Sequence, residues 1–255
     1  WWVFKELWNK GLIYEGHKIL PYCPKDATPL SNFEANQGYE DVQDPAITVS
    51  FQLKDEPGVK VLAWTTTPWT LPSNLALTVH EDVDYVYVKD GDNTYVLAEA
   101  RVGSYYSDEP PEVVKKVKGK DLVGLQYEPL FPYFESMRAD GAFKIISADF
   151  VTTADGTGVV HTAPGFGEDD AEAGRAHGVP AVCPIDAECR FTDEVPDYEG
   201  RFVKDCDSDI MRRLKDERKL VHRSTHQHSY PHCWRCESPL IYRAISTWFV
   251  DIEKV

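Results

Sequence analysis

Ile47-Thr48-Val49-Ser50-Phe51-Gln52-Leu53 alternates apolar and polar residues, and Val59-Lys60-Val61-Leu62-Ala63-Trp64 follows it after Glu56-Pro57-Gly58. Successive side chains of a strand point to opposite faces, so a period of two marks a half-buried strand. The Pro-Gly between the two runs turns them into a hairpin. Working outward, further strands are predicted at 85–88, 95–98 and 158–162, with Asp90-Gly91-Asp92-Asn93 as a second hairpin turn. Helices are predicted near 98–105, 168–177 and 207–219. The last follows acids and ends in bases, which suits the helix dipole. A short helix over 1–9 rests on the spacing of Phe4, Leu7 and Trp8, with Gly11 ending it. Many short strands with scattered helices give a β-rich α+β class, not alternating βαβ units.

On either side of this middle the chain changes character. Residues 18–22 read as extended, and 23–44, rich in Pro, Asn, Asp and Gly, as linker. At the far end Ile241-Tyr242-Arg243-Ala244-Ile245 looks buried and precedes Trp248-Phe249. The two ends are expected to be two stubs of one structure, interrupted by the β-rich middle. The divisions follow as 1–45, 46–220 and 221–255. A chain that opens on Trp1-Trp2-Val3-Phe4 reads as a piece of a longer protein.

The chain has 255 residues, with 42 acids against 27 bases, a net charge of −15. That excludes a general cationic grip on nucleic acid. Residues 1–200 carry −18 and residues 201–255 carry +3, so phosphates would dock on the C-terminal fifth. No run approaches the ~20 apolar residues of a membrane span, and no secretory leader is read. Six cysteines in a chain this long do not look like a disulfide framework, so a reduced, cytoplasmic setting is expected.

Two loops carry chemistry. In Trp64-Thr65-Thr66-Thr67-Pro68-Trp69-Thr70-Leu71-Pro72-Ser73-Asn74, four threonines fall within six residues at the end of a strand. Their hydroxyls, with loop amides, could hold an ester carbonyl and ribose hydroxyls. A threonine-rich strand end with proline turns would look the same. In Gly156-Thr157-Gly158-Val159-Val160-His161-Thr162-Ala163-Pro164-Gly165-Phe166-Gly167-Glu168-Asp169-Asp170, a strand ends in a histidine and a glycine loop leads to an acid at a helix start. The dinucleotide reading of Gly156-x-Gly158 fails, because His161 stands at the third glycine position and a strand follows. Gly165 and Gly167 permit close approach of a ligand to backbone. Asp170 could bind a ligand ammonium by charge-assisted hydrogen bonds, or simply cap its helix. His161 could equally be a satisfied core histidine.

Cys233-x-x-Cys236 has half-site spacing for a zinc knuckle. Cys23, with Asp26 where a second cysteine would stand, offers the other half. Ordinary thiols in a turn are the alternative. His222, His226, His228 and His232 crowd the approach to this pair, as a solvated turn or as ligands of a zinc-dependent hydrolase.

At the two loops the sequence resembles the editing domain of isoleucyl-tRNA synthetases, inserted in the class I catalytic domain, with its flanking stubs. The resemblance extends to Pro29-Leu30-Ser31-Asn32-Phe33-Glu34, His228-Ser229-Tyr230-Pro231-His232-Cys233-Trp234-Arg235-Cys236 and Pro239-Leu240-Ile241-Tyr242-Arg243. The valine and leucine relatives typically carry Arg at the position of Thr67 and an acid at that of Trp69. The resemblance implies a closed β-barrel with helical insertions, the editing domain at 46–220, and hydrolysis of valine wrongly esterified to tRNA(Ile). Asp170 would bind the α-ammonium and His161 would shape the side-chain pocket. Thr65, Thr66 and Thr67 would surround the terminal adenosine and the scissile ester. Trp69, Thr70, Asn74, Gly165 and Phe166 are the further binding positions. Partners would be the 3′ end of tRNA(Ile) and the rest of the synthetase, with no membrane and a monomeric fragment. No cofactor is expected for editing; a structural zinc would use Cys23, Cys233 and Cys236, with Asp26 departing from a four-cysteine set. No Cys or Ser has a nucleophile arrangement, so water is expected to attack directly. The competing functions are the zinc hydrolase and a non-catalytic tRNA-binding insert.

Overall fold

The computed structural model describes residues 1–107 and 109–254. The chain begins α1 (Trp2–Asn9), β1 (Ile13–Cys23), β2 (Thr28–Pro29), α2 (Asn32–Ala35), β3 (Tyr39–Gln52), β4 (Val59–Thr65) and β5 (Ala76–Val79). It continues β6 (Asp84–Asp90), β7 (Asn93–Ala98), α3 (Val102–Tyr105), β8 (Glu112–Lys118), β9 (Lys144–Ser147) and β10 (Val160–Thr162). Last come α4 (Glu168–Ala176), α5 (Asp207–Asp216), β11 (Leu220–Pro231) and β12 (Ile241–Val250). The class is mixed α+β and β-rich, as the alternation predicts.

The β3–β4 hairpin forms in the expected register, from Ile47 opposite Thr65 to Gln52 opposite Lys60. It is the seed of a nine-stranded sheet that branches at β4. The start of β4 pairs in parallel with β7, and its end pairs in parallel with β10 through Trp64 and Val160. β10 runs antiparallel to β5, which runs parallel to β9. The sheet then curls back through backbone: the Leu125 carbonyl accepts from Ile145 in β9, while the Gln126 carbonyl accepts from Lys54 just past β3. The ends of β4 and β10 are therefore neighbours, and so are the threonine and glycine loops that leave them.

Inside the curl, Phe51, Tyr127 and Phe143 pack edge to face. These rings belong to a core that also takes in Ile47, Leu77, Tyr85 and Ile145, each fully removed from water. Burying a large apolar side chain stabilises by about 1.5–3 kcal/mol, so this one apolar mass stabilises the curled sheet.

Several expectations are corrected. Residues 23–44 are not a linker: Ser31 caps α2 in a capping box with Glu34, and β3 starts at Tyr39. The histidines at 222–228 are not in a turn but on β11, which pairs with β3 along its whole length. Period two is hidden in β11 because both of its faces carry polar residues. β5, β8 and β9 were not predicted: β5 and β9 have only four residues each, and β8 is exposed along most of its length, so none shows a clear alternating pattern. β3 runs from Tyr39 to Gln52 and β11 from Leu220 to Pro231, so both strands continue across 45/46 and 220/221. β1 and β12 form an antiparallel ribbon from Ile13 opposite Val250 to Tyr22 opposite Ile241. No helix of the described residues is long and apolar enough to cross a membrane.

Candidate active site

β4 and β10 deliver their loops to the same end of the sheet, and a cavity of about 330 Å³ opens between them. Thr65, Thr66, Thr67 and Thr70 line it from one side; His161, Phe166 and Asp170 line it from the other. Trp64, Val160, Ala163 and Gly167 complete the wall. A larger cleft, about 770 Å³, lies between α4 and the β1–β12 ribbon and holds none of the threonines, His161 or Asp170.

His161 is buried at 7% exposure and bonded at both ring nitrogens. The Asn74 amide N–H₂ donates to Nδ1 at 2.8 Å and to the Ala76 carbonyl at 2.8 Å. Nδ1 must then be the acceptor, so the proton sits on Nε2 and is donated to Thr70 Oγ1 at 2.9 Å. The Thr70 hydroxyl in turn donates to the Thr67 carbonyl at 2.8 Å. Thr67 Oγ1 lies 3.2 Å from Thr70 Oγ1 and 3.2 Å from Thr65 Oγ1. Behind this chain, the buried Tyr127 hydroxyl donates to Asn74 Oδ1 at 2.7 Å. Burial pushes the His161 imidazole down to about 3, so the ring is neutral at physiological pH. With both nitrogens engaged, His161 has no free ring nitrogen to offer a ligand.

Asp170 occupies the first turn of α4, but its carboxylate does not cap that helix. Oδ2 accepts from the Ala163 amide at 2.8 Å, tying α4 back to the end of β10. Burial lifts its carboxyl to about 6, against the Ala163 hydrogen bond, and the neighbouring Asp169 adds to the rise. A half-buried carboxylate short of partners is ready for a cation. Gly167 makes this posture possible, since a Cβ there would stand 2.9 Å from Asp170 Cγ. Gly167→Ala is therefore expected to push the carboxylate off Ala163. Faster exchange of the Ala163 amide, with unchanged far-UV dichroism, would be the sign; an unaltered amide would refute it.

Three predicted binding residues stand behind the wall. Trp69 is buried and packs edge to face against Phe166 at 5.2 Å, and its backbone amide donates to Asp207 Oδ1 at 2.8 Å. Asn74 reaches the cavity only through His161. The Gly165 carbonyl accepts from Ala244 of β12 at 2.8 Å, joining the glycine loop to the ribbon. Sequence reading missed Trp64, Tyr127 and Asp207. Trp64 opens the quoted threonine motif, while Tyr127 and Asp207 lie 53 and 138 residues from the residues they hold.

Elsewhere the donor atoms of Cys23, Asp26, Cys233 and Cys236 all lie within 4.8 Å of one another. Cys23 and Cys236 sulfurs are 3.4 Å apart, and the Cys233 thiol points at Asp26 Oδ2 at 3.5 Å. Three thiols and a carboxylate are a donor set that could hold a tetrahedral zinc ion, with the Asp26 carboxylate as the fourth group of the cluster. None of these residues lines the cavity. The zinc hydrolase is not supported: among the described residues this is the one such cluster, and no histidine belongs to it. His226 packs on Trp64 and His228 bonds Asp44 at 3.1 Å.

Comparison with known proteins adds the family. The model for "tRNA synthetases class I (I, L, M and V)" matches residues 1–255. The isoleucine--tRNA ligase of Treponema denticola is 52% identical over all of this chain and 26% of that protein. That of Bdellovibrio bacteriovorus is 55% identical over all of this chain and 24% of its own length. The chain thus spans about a quarter of the curated relatives it matches. Among solved structures, the P. knowlesi cytosolic leucyl-tRNA synthetase editing domain superposes with a TM-score of 0.53 at 11% identity, covering 74% of this chain and 99% of that one. The P. falciparum counterpart gives 0.54 at 10%, covering 71% and 99%. The chain therefore belongs to the class I tRNA synthetases (I, L, M and V), is similar along its whole length to isoleucine--tRNA ligases, and has a fold like that of leucyl-tRNA synthetase editing domains.

Proposed function

We propose that the cavity between the threonine and glycine loops hydrolyses valine misattached to tRNA(Ile). The observation that carries this is one hollow shared by a carboxylate able to hold an ammonium, a row of hydroxyls and a locked neutral histidine. Asp170 would bind the α-ammonium. Thr65 and Thr66, with the amides around them, would orient the ester carbonyl and the attacking water, and such orientation is itself a source of rate. His161, Thr67 and Phe166 would bound the side-chain space. No Cys or Ser is among the lining residues, which favours direct attack. Water oxygen bonds to the carbonyl carbon, the ester C–O bond breaks, and the ribose oxygen gains a proton. The backbone links from β9 through 125–126 to the end of β3 support reading the curled sheet as a closed barrel around this site.

The chemistry of discrimination suits such a site. One methylene is worth only about 1–3 kcal/mol in a binding pocket, a general figure for which isoleucyl enzymes are themselves a standard example. A synthesis pocket cannot exclude the smaller valine, but a second pocket can exclude the larger isoleucine sterically. The cluster of Cys23, Asp26, Cys233 and Cys236 would hold zinc as a structural clasp between the end of β1 and the 233–236 turn.

The test is deacylation of valyl-tRNA(Ile) against isoleucyl-tRNA(Ile), using the protein as the cell makes it. Valyl ester should be cleaved and isoleucyl ester spared. After chelation, zinc should appear in the chelate and thermal unfolding should shift downward while cleavage persists. No preference for the valyl ester, or tRNA binding without cleavage, would favour the non-catalytic insert instead.

A further inference from the structure

Thr67 stands where a helix cap belongs, yet its hydroxyl does not cap. It precedes the 3-10 turn Pro68–Ser73 and makes no side-chain bond to the amides of that turn. A threonine in this place ordinarily accepts from the second or third amide. Here Pro68 has no N–H, and the Thr70 amide donates to the Thr67 carbonyl at 3.0 Å. The Trp69 amide is left over, and an unpaired amide in this buried turn would be costly. It crosses the fold to Asp207 Oδ1, at the first residue of α5. That amide is the one hydrogen-bond partner of the Asp207 side chain among the described residues. Asp207 does not line the cavity. The Thr67 hydroxyl, relieved of capping, stays between Thr65 and Thr70.

We propose that Asp207 is a positioning residue, capping the threonine turn from a distant helix so that the Thr67 hydroxyl remains in the polar chain of the cavity. If Asp207 is lost, the Trp69 amide falls to the ordinary capping acceptor, the hydroxyl of the N-cap residue Thr67. Turning to meet it would draw Thr67 away from Thr65 and Thr70. The effect on rate rests on the hydrolytic reading above; the effect on the turn does not.

The experiment compares Asp207→Ala with Asp207→Asn, which keeps an acceptor oxygen but no charge. In Asp207→Ala, exchange of the Trp69 amide should quicken by about 10-fold or more, while β3 and β10 amides exchange as before. The kcat for valyl-tRNA hydrolysis should fall by about 10-fold, with KM within about 2-fold. Asp207→Asn should restore both measurements, which a general weakening of α5 would not. The proposal is overturned if the Trp69 amide is indifferent to Asp207→Ala, if Asp207→Asn is as damaged as Asp207→Ala, or if exchange quickens without a change in kcat. If the unaltered protein fails to cleave valyl-tRNA, the functional reading falls, and the exchange arm alone decides whether Asp207 seats the turn.

Discussion

Asp170→Asn should sharply slow hydrolysis of valyl-tRNA(Ile) while making the protein more resistant to heat. Asparagine keeps an oxygen for the Ala163 amide, now 2.8 Å from Asp170 Oδ2, so the loop stays braced. What disappears is the negative charge offered to the ammonium. Breaking a desolvated ion pair typically costs about 3–5 kcal/mol, so kcat/KM should fall by roughly 100-fold or more. Stability moves the other way. The Asp170 carboxyl lies at about 6 in the fold against an ordinary 3.8, so between those values the folded chain keeps a proton that the unfolded chain has shed. Its stabilising contribution is full below the unfolded value and is lost as pH rises through about 6. At pH 7 the native state therefore bears the cost of a desolvated carboxylate that asparagine does not carry. The same ionisation predicts that kcat/KM of the unaltered protein falls as pH drops below about 6. Activity retained in Asp170→Asn would sink the assigned role; a Tm at pH 7 no higher than the parent's would sink the account of burial.

His161→Ala should change which ester is cleaved. The imidazole is part of the cavity wall, fixed by Asn74 on one nitrogen and Thr70 on the other. Removing it opens space where a larger side chain could lie. Isoleucyl-tRNA(Ile), which the proposed function expects the parent to spare, should be hydrolysed on the order of 10–100 times faster relative to the valyl ester, as expected for a methylene's worth of discrimination. Asn74 and Thr70 each lose a buried partner, so stability should fall by about 1–3 kcal/mol. The pH profile should keep its acid limb, because burial holds His161 near 3 and its titration does not set that limb. An unchanged ratio of valyl to isoleucyl cleavage would show that some other group sets the size limit.

The elements legible in the sequence share a property: their causes are local. Period two over 47–53 forecast the core of β3, and the acid-to-base gradient over 207–219 forecast α5. The two chemical loops were visible because hydroxyls, glycines and an acid are concentrated within a few residues of strand ends. Cys23 and Cys233-x-x-Cys236 were noticed by their spacing, and the fold gathers them with Asp26 into one cluster. The histidines of β11 misled for the converse reason, since their strand is defined by hydrogen bonds to β3 and not by an apolar stripe.

The sequence by itself determined the class of fold, the family and the residue types that meet at the cavity. Only the tertiary structure decided how those residues are used. It made His161 a neutral wall by surrounding it with Asn74 and Thr70. It turned Asp170 from a helix cap into a brace on Ala163, and it brought Asp207 to the Trp69 amide across 138 residues. Protonation and orientation depend on burial and on partners, and both arise when strands distant in sequence pair around a common core.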